Sequence, residues 1–375
     1  MFLPSDERHA TVAADWLWQL SMTAESLPAA AHAEHLTDAF RRYGALRDGR
    51  VSSVMVDSSR ATVLSRIVRL RLTYDGAAPD APGSVILKTG HPDRADMTWN
   101  AGRQEVAFYT EIAAAMPARL VPRCFEAVWD KATNGWHLLL EDLTESHIIA
   151  TGWPLPPGTA QCESIVEAWA CFHAAWWDDS RLGVSAGAWS SKNDMDTYLQ
   201  RFAERYARFA DRLGDCLPKQ RRELYERFID AAPRLSERFR TPRNLTIIHG
   251  DAHVWNCFLP RDGRHHDIRL FDWDSWRTGT ATADLAYMMA MHWYPDRRRL
   301  LERPLLDHYH AALTVHGVRG YDQHALYDDY RLSALFLIMR PVWQESVSIP
   351  PVIWWNNLER ILLAVDDLGC GELLA

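Results

Sequence analysis

The sequence predicts an α+β fold, with a small β-rich N-terminal lobe followed by a large helical C-terminal lobe. Polar and apolar residues alternate between Val51 and Tyr74, a pattern typical of paired strands, whereas helical spacing dominates after Gly158. The chain has 375 residues, 47% of them hydrophobic, and is too long for one ordinary core. We therefore expect two lobes, formed by residues 1–143 and 144–375.

Local patterns give the order of elements in the N-terminal lobe. Helical spacing predicts two helices within residues 5–46, before the strand pair. Ser84–Lys88 is a short apolar run that ends in lysine, and residues 101–116 repeat apolar side chains at helical spacing. Two further apolar runs flank Asn134-Gly135, which indicates a β-hairpin. After the N-terminal helices, the lobe is expected to continue from strands through a helix to strands again.

The C-terminal lobe is expected to be mainly helical. Between residues 245 and 272 the pattern changes to short strand-like runs, and polar residues stand at the ends of those runs. Helical spacing covers seven segments, namely residues 160–177, 194–212, 218–239, 281–293, 303–316, 323–345 and 351–367.

Composition excludes several classes of protein. The net charge is −8 and no long Lys/Arg run is present, so we expect no nucleic-acid partner. The six cysteines lack C-x-x-C spacing, which argues against a zinc knuckle and fits reduced thiols in the cytoplasm. The first residues lack the apolar segment of a signal peptide, and no run is long enough to span a membrane. The sequence leaves the oligomeric state open.

The most informative segment is residues 247–256, which read Ile-Ile-His-Gly-Asp-Ala-His-Val-Trp-Asn. His249, Asp251 and Asn256 have the spacing of the protein-kinase catalytic loop, and Asp272 follows a later apolar run, where a metal-binding aspartate would lie. In phosphoryl transfer the loop aspartate accepts the proton of the attacking hydroxyl. We therefore predict Asp251 as the general base. The alternative is a turn aspartate that bonds to its own backbone.

The same register predicts two oxygen ligands for magnesium. Asn256 offers an amide oxygen and Asp272 a carboxylate at the end of a strand, and magnesium prefers such oxygen ligands. A turn residue without a metal is the alternative for Asp272. Asp274 lies on the same side of the strand, and the sequence leaves open whether it supports the metal ligands or is solvated.

Two histidines of this segment have different predicted roles. We group His249 with Asp251 as a catalytic residue, a histidine that ties the loop to its neighbours. His253 either assists the loop, contacts substrate or is a buried histidine with satisfied hydrogen bonds. A metallohydrolase is an alternative function, because His249, Asp251 and His253 are ligand types that suit a transition metal, with His265 and His266 near them in sequence.

Lys88 is the predicted phosphate-binding lysine. The chain has only four lysines, and this one ends an apolar strand of the N-terminal lobe. A lysine there reaches the α- and β-phosphates as a point charge and needs a carboxylate partner on a nearby helix. Glu105, on the next predicted helix, is the first choice and Glu111 the second. A solvated lysine at a strand end is the alternative.

The loop that covers the phosphates is predicted from polarity. No glycine-rich loop precedes Lys88, and a polar turn at Asp57–Thr62 is the candidate in its place. The hydroxyl groups of Ser58 and Ser59, with nearby backbone amides, would take the place of glycines at the phosphates.

A second nucleotide-binding segment is predicted at the end of the hairpin. Glu141, Asp142 and Leu143 follow an apolar strand and precede the boundary between the lobes. This position fits a hinge whose backbone groups bind the adenine edge. An ordinary strand end with acidic residues is the alternative.

Taken together, these motifs resemble a known family. The run H-G-D-A-H-V-W-N at residues 249–256 and F-D-W-D at residues 271–274 resemble the aminoglycoside phosphotransferase and choline kinase superfamily. Residues 354–362 and the late Cys370 are similar to its ecdysteroid-kinase-like branch. The resemblance implies a two-lobe protein-kinase-like fold, ATP and magnesium as cofactors, and a small molecule with a hydroxyl group as phosphate acceptor.

Some features lie outside that pattern or leave its meaning open. The glycine-poor phosphate loop departs from the family. Asp284 resembles the family's structural aspartate, which either caps the following helix or braces the catalytic loop. A catalytically silent nucleotide-binding module is a further alternative, although every catalytic residue type is present.

The acceptor pocket is expected among the C-terminal helices, which are rich in aromatic residues. These side chains suit a ring-bearing or cationic ligand, or they pack between helices. They are Trp293, Tyr294, Trp343, Trp354 and Trp355. The sequence does not identify the acceptor.

Overall fold

The computed structural model describes residues 27–62, 65–90, 101–116, 119–189, 191–263 and 267–375. The chain forms two compact units. The first ends at Ser146, and the second comprises Ala115–Leu120 and His147–Ala375. A five-stranded sheet dominates the first unit and helices dominate the second, which confirms the predicted α+β class with two lobes. Of the two helices predicted near the N-terminus, the first lies outside the described residues.

The first unit is built on an antiparallel sheet. Its elements are α1 (Ala33–Tyr43), β1 (Arg50–Ala61), β2 (Ser65–Asp75), β3 (Ser84–Gly90), α2 (Ala101–Ala107), β4 (Cys124–Trp129) and β5 (Trp136–Glu141). The strands lie in the order β1-β2-β3-β5-β4. The last two form the predicted hairpin, and α2 continues into a π-helical turn at Phe108–Ile112.

One face of this sheet packs against α1 to form the core of the unit. Leu36 and Phe40 of α1 are fully buried there, together with Leu70 of β2 and Leu87 of β3. Successive strand residues point to opposite faces of a sheet. Lys88 therefore lies on the face that turns away from this core.

The polar turn predicted at Asp57–Thr62 is wrong, because β1 continues as a strand through most of it. Ser58 and Ser59 are strand residues paired with β2, and Ser58 lies opposite Arg69. The Asp57 carboxylate binds Arg69 at 2.7 Å. Ion pairs across two strands account for the polar residues here, which the sequence alone does not distinguish from a turn.

Glu126 of β4 joins α1 to the sheet. One of its carboxylate oxygens binds His35 of α1 at 2.6 Å and His137 of β5 at 2.7 Å, and the other accepts a hydrogen bond from Arg42. Burial alone raises the pKa of Glu126, but the hydrogen bonds from His137, His35 and Arg42 outweigh it and lower the pKa to about 2. The carboxylate is thus stabilised in its ionised form.

Replacement of Glu126 is expected to loosen α1. The pKa falls from the ordinary 4.5 to about 2, so the stabilisation is complete above pH 4.5 and disappears as the pH falls through about 2. Glu126→Gln should lower the free energy of unfolding by about 1–3 kcal/mol at neutral pH and weaken its dependence on pH in this range. Scanning calorimetry measures both. Glu34→Gln, at an exposed position of α1, is the control, and equal effects of the two variants would contradict this role of Glu126.

Short strands and long helices form the second unit. Its elements are β6 (His147–Ile149), α3 (Thr159–Ala175), α4 (Lys192–Leu213), α5 (Lys219–Leu235), β7 (Thr246–Ile248), β8 (Cys257–Pro260), β9 (Arg269–Leu270), β10 (Arg277–Gly279), α6 (Thr282–Ala286), α7 (Pro295–Val315), α8 (Gln323–Phe336), α9 (Met339–Ser346) and α10 (Pro351–Asp367). The strands pair as β6-β8-β9 and β10-β7. Among the described residues, no helix combines the length and apolarity needed to cross a membrane.

Two predicted helices of this unit have different bounds. The segment predicted at 323–345 is two helices, since α8 ends at Phe336 and α9 begins at Met339. Pro341 lies in the first turn of α9, whose N–H groups need no partner within the helix. The segment predicted at 303–316 begins earlier, at Pro295, a favourable first residue for a helix. The break before α9 puts Arg340 in the first turn of that helix.

Candidate active site

Asp251 lies in the loop between β7 and β8 and is held by two side chains. The Tyr287 hydroxyl donates a hydrogen bond to Asp251 Oδ1 at 2.5 Å. The Asn256 amide nitrogen donates to the Asp251 main-chain oxygen at 2.9 Å and to its Oδ2 at 3.3 Å. The Asp251 side chain remains 32% exposed, so a ligand can reach the carboxylate.

The charges and donors around Asp251 keep it ionised. Burial raises the pKa of Asp251, but the charge of His253, the hydrogen bond from Tyr287 and the charge of Arg340 act against burial, and the pKa is lowered to about 2. At neutral pH the group is therefore a carboxylate, the form that accepts a hydrogen bond from a hydroxyl group.

His249 ties the two halves of the motif together. It is fully buried, its Nε2 donates to the Phe271 carbonyl oxygen at 2.9 Å, and its Nδ1 accepts from the Asp251 N–H at 3.2 Å. Burial lowers the pKa of His249 despite the nearby carboxylate of Asp284, so the ring is neutral. His249 thus joins the loop of Asp251 to the segment that leads into Asp272.

The metal cluster of the alternative metallohydrolase does not form. Both ring nitrogens of His249 are used in hydrogen bonds, which leaves no lone pair for a metal. His253 Nε2 and Asp251 Oδ2 lie 3.5 Å apart, so they are two potential ligands without the third that His249 was predicted to supply. His265 and His266 lie outside the described residues. Among the residues that are described, three potential ligands come within 4.8 Å of one another elsewhere, in the first unit, around Glu126.

Asp284 of α6 braces the catalytic loop. Its two oxygens accept the main-chain N–H groups of His249 at 2.6 Å and Gly250 at 2.9 Å, and His173 contacts it at 3.2 Å. Burial raises the pKa of Asp284, but the hydrogen bond and charge of His173 outweigh it and lower the pKa. Of the two roles that the sequence left open, bracing the loop is the one observed, and α6 has no side-chain cap.

Asn256 and Asp272 come together at the ends of β8 and β9. The Phe271 N–H donates to the Asn256 carbonyl oxygen at 3.1 Å, which sets Asp272 beside the loop. Because the Asn256 amide nitrogen binds Asp251, its amide oxygen is the atom left for a metal. Asp272 has a φ of 69°, in the left-handed region where non-glycine residues are uncommon and often functional. Burial raises the pKa of Tyr287 well above its ordinary value, and the charges of Asp251 and Asp274 raise it further.

In the first unit, Lys88 and Glu105 form the predicted ion pair. Lys88 Nζ and Glu105 Oε2 are 2.6 Å apart, and the two residues are 8% and 1% exposed. Glu105, the first of the two predicted partners, is therefore the observed one. The contact of Lys88 with phosphates stays a prediction.

The predicted adenine-binding hinge is anchored through Asp142. The Asp142 side chain accepts hydrogen bonds from Arg69 of β2 and Ser84 of β3, both at 2.6 Å. Burial raises the pKa of Asp142, but these bonds and that of Thr144 outweigh it and lower the pKa to about 2. Glu141 ends β5, and the buried Leu143 follows Asp142. Because the Asp142 side chain is bonded to β2 and β3, the predicted contact with a nucleotide would have to come from the backbone of this segment.

Ser58 and Ser59 lie within the sheet rather than in a loop. Ser59 is opposite Val68, in the row of residues next to the one that contains Lys88. Its hydroxyl accepts a hydrogen bond from Arg66 Nε at 3.1 Å. Ser58 lies in the row of Arg69 and Ile86, on the face of Lys88, whereas Ser59 shares the opposite face with Val68 and Leu87.

Residues 61–318 match the ecdysteroid kinase-like family. The chain belongs to this family. Membership confirms the branch that the sequence motifs resemble and the predicted enzyme class, a small-molecule kinase. No curated protein matches the sequence.

Solved structures share the fold of this ecdysteroid kinase-like protein at low sequence identity. A candidate aminoglycoside phosphotransferase from Ralstonia eutropha JMP134 has a TM-score of 0.56 at 13% identity, over 90% of this chain and 98% of that one. APH(2")-IIIa, solved with GDP and kanamycin, has a TM-score of 0.51 at 11% identity, over 90% and 99%. A choline/ethanolamine kinase family protein from Mesorhizobium loti has a TM-score of 0.50 at 12% identity, over 86% and 91%. The shared fold is the predicted kinase-like one.

The sequence motifs of this kinase-like protein did not reveal Tyr287 or Arg340. Tyr287 lies three residues after Asp284, one helical turn further along, and this spacing is the sequence signal that could have found it. Arg340 donates to the Gly250 carbonyl oxygen at 2.9 Å, and its guanidinium lies 5.3 Å from the centre of the Tyr287 ring. The only sequence signal for Arg340 was Pro341, which marks the start of α9.

Gly250 is expected to be irreplaceable in the loop. Its φ is +80°, and an added Cβ would lie 2.4 Å from the main-chain oxygen of Ser275. Gly263 has a similar φ of +72° but open space around it, so Gly263→Ala is the matched control. Gly250→Ala should destabilise the protein by about 2 kcal/mol more than Gly263→Ala, measured by thermal unfolding. Equal losses of stability in the two variants would mean that glycine is needed at residue 250 for its positive φ, and not for the close contact with Ser275.

Proposed function

We propose that this protein transfers the γ-phosphoryl group of ATP to a hydroxyl group of a small molecule in a magnesium-dependent reaction. The observation that carries the proposal is the ionised carboxylate of Asp251, held by Tyr287 and Asn256 and accessible to a ligand. Membership of the ecdysteroid kinase-like family supports the reaction class. A location in the cytoplasm is part of the proposal.

Asp251 would act as the base. Its carboxylate accepts a hydrogen bond from the acceptor hydroxyl and takes the proton as the oxygen attacks the γ-phosphorus. Tyr287 and Asn256 fix its rotamer. His249 holds the loop and acts as a positioning residue, since both its nitrogens bind main-chain groups.

The ligand types at Asn256 and Asp272 fit magnesium. A neutral amide oxygen and a carboxylate are hard oxygen donors, and magnesium usually takes few protein ligands beside waters and phosphates. When bound, the ion would neutralise charge on the phosphates. Asn256 and Asp272 would hold it, and Asp272 would supply the negative charge.

The first unit would bind the nucleotide. Lys88, oriented by Glu105, would contact the α- and β-phosphates. Ser58, on the same face of the sheet as Lys88, would lie at the phosphates, whereas Ser59 shares the opposite face with Val68 and Leu87. The backbone at Glu141, Asp142 and Leu143 would bind the adenine.

Loss of the base is expected to remove turnover but not nucleotide binding. Asp251→Asn should lower kcat for ADP release by on the order of 10²–10⁴, because the amide cannot take a proton. Mg-ATP affinity by isothermal titration should stay within a few fold. Asp328→Asn, a half-exposed aspartate of α8, is the control. Turnover near wild type in Asp251→Asn would remove Asp251 from the mechanism.

Loss of the metal carboxylate is expected to remove the magnesium dependence of nucleotide binding. Asp272→Asn keeps a residue that tolerates the left-handed φ of 69° and removes only the charge. Asp272→Ala removes both. Both variants should bind Mg-ATP more weakly, by about tenfold or more, because they lack the anionic ligand. Unchanged affinity in the asparagine variant would make Asp272 a conformational residue only.

A further inference from the structure

Three arginines lie around the catalytic loop of the second unit. Arg340 donates to the Gly250 carbonyl oxygen and stacks on Tyr287, which binds Asp251. Arg277 approaches the same loop, since a Cβ on Gly250 would lie 2.4 Å from its Nη1. Arg360 of α10 lies over the ring of Tyr294 at 4.2 Å. We call Arg277, Arg340 and Arg360 the arginine cluster.

The arginine cluster makes no direct ion pairs with described carboxylates, although the charge of Arg340 acts on Asp251. In the described part of the chain, none of the three forms an ion pair within 4.0 Å, whereas the neighbouring acids do: Glu359 binds Arg221 and Glu345 binds Arg212, both at 2.5 Å. Arg360 is only 9% exposed, and its Nε has no hydrogen-bond partner among described residues. A buried charge without a partner is costly, so an anionic partner from outside the chain would be stabilising.

Further unpartnered polar nitrogens lie beside Asp251. His253 Nδ1, Trp255 Nε1 and His292 Nε2 are buried, and the described residues offer them no hydrogen-bond partner. Their rings form one group, with centroids 5.4 to 5.6 Å apart. An indole N–H only donates, and buried donors are normally bonded. A ligand that offers a hydrogen-bond acceptor beside Asp251 would therefore satisfy this group.

The local field is positive. Burial lowers the pKa of His292, and the charges of His253, Arg360 and Arg340 lower it further, to about 3, although Asp251 acts in the opposite direction. His292 is thus uncharged at neutral pH. The charges of His253, Arg360 and Arg340 would also repel a ligand cation placed beside it.

The aromatic faces expected to bind a cationic ligand are taken by the protein's own guanidinium groups. Arg360 covers Tyr294 at 4.2 Å, Arg297 lies 5.0 Å from Trp293, and Arg340 lies 5.8 Å from Trp343. The buried Trp354 packs on Phe209 and Trp355. These contacts argue against a cationic acceptor.

We propose that the acceptor carries an oxyanion, such as a carboxylate, in addition to its hydroxyl group, and that the arginine cluster binds this oxyanion beside Asp251. Guanidinium groups match planar oxyanions with paired hydrogen bonds, and the free nitrogens of His253, Trp255 and His292 would bind the remaining polar atoms. This proposal rests on the proposed function, since it names the substrate class of the same site.

Matched acceptors that differ only in charge test the proposal on the wild-type protein. Suitable sets are glucuronate, glucuronamide and 6-amino-6-deoxyglucose; cholate with its neutral amide and amine derivatives; and 4-(hydroxymethyl)benzoate with its amide and amine. ADP release with Mg-ATP gives kcat/KM, and isothermal titration gives binding of each compound alone. Within a set, the anion should be preferred over the neutral compound by about tenfold or more, with the amine weakest, and added salt should reduce the preference.

An arginine variant shows whether the cluster causes the preference. Arg360→Met keeps bulk over Tyr294 but removes the charge, and it should reduce the anion-to-neutral ratio by about tenfold. Arg360→Glu should favour the amine. The control is Arg303→Met, because Arg303 also stacks on a tyrosine, Tyr327 at 5.1 Å, but is paired with Asp307 at 3.2 Å. It should leave the ratio unchanged.

The outcomes separate this inference from the proposed function. If the wild-type protein neither binds Mg-ATP nor releases ADP, the proposed function fails and the acceptor assignment falls with it. If it turns over neutral or amine members as well as anions, or if no anionic member binds, only the acceptor assignment is overturned. An equal loss for all three members of a set in Arg360→Met would also overturn it, because Arg360 would then act on the transferred phosphoryl group instead.

Discussion

The buried carboxylate of Asp284 determines the shape of the catalytic loop. By accepting the main-chain N–H groups of both His249 and Gly250, it fixes the turn from which Asp251 emerges. Such a bond to an ionised group is stronger than a neutral one, and its loss would leave two buried donors without partners. Tyr287 lies one helical turn further along and binds Asp251 directly. Residues 284–287 therefore hold both the main chain of the loop, through Asp284, and the Asp251 side chain, through Tyr287.

The electrostatics of the site follow from this arrangement. Asp251 is an ionised carboxylate, and its low pKa reflects the charge of His253, the hydrogen bond from Tyr287 and the charge of Arg340, which act against its burial. A carboxylate with a pKa near 2 is a weak proton acceptor in the ground state, so in the proposed mechanism Asp251 would orient the hydroxyl group and accept the proton late. Arg340 contributes to lowering the pKa of Asp251, and in the proposed acceptor site the same guanidinium would bind the oxyanion.

Local spacing predicted the parts of the site that lie close together in sequence or follow a single strand. The distances among His249, Asp251 and Asn256 are set within one loop, and the pairing of Lys88 with Glu105 follows from a strand end and the next helix. The turn at residues 57–62 was wrong, because cross-strand ion pairs make a strand as polar as a turn. Such pairs depend on register, which is a property of the folded sheet.

Arg340 could not be found in this way, because its position depends on packing between distant helices. It is 90 residues from Gly250 in sequence, and it lies in the first turn of α9. Its guanidinium has no direct ion pair with a described carboxylate, and it binds the Gly250 carbonyl oxygen and lies over the Tyr287 ring. A bound oxyanion would add an ion pair and stabilise the protein. In this view the contact of α9 with the loop sets the selectivity for the acceptor, while the H-G-D motif sets the reaction.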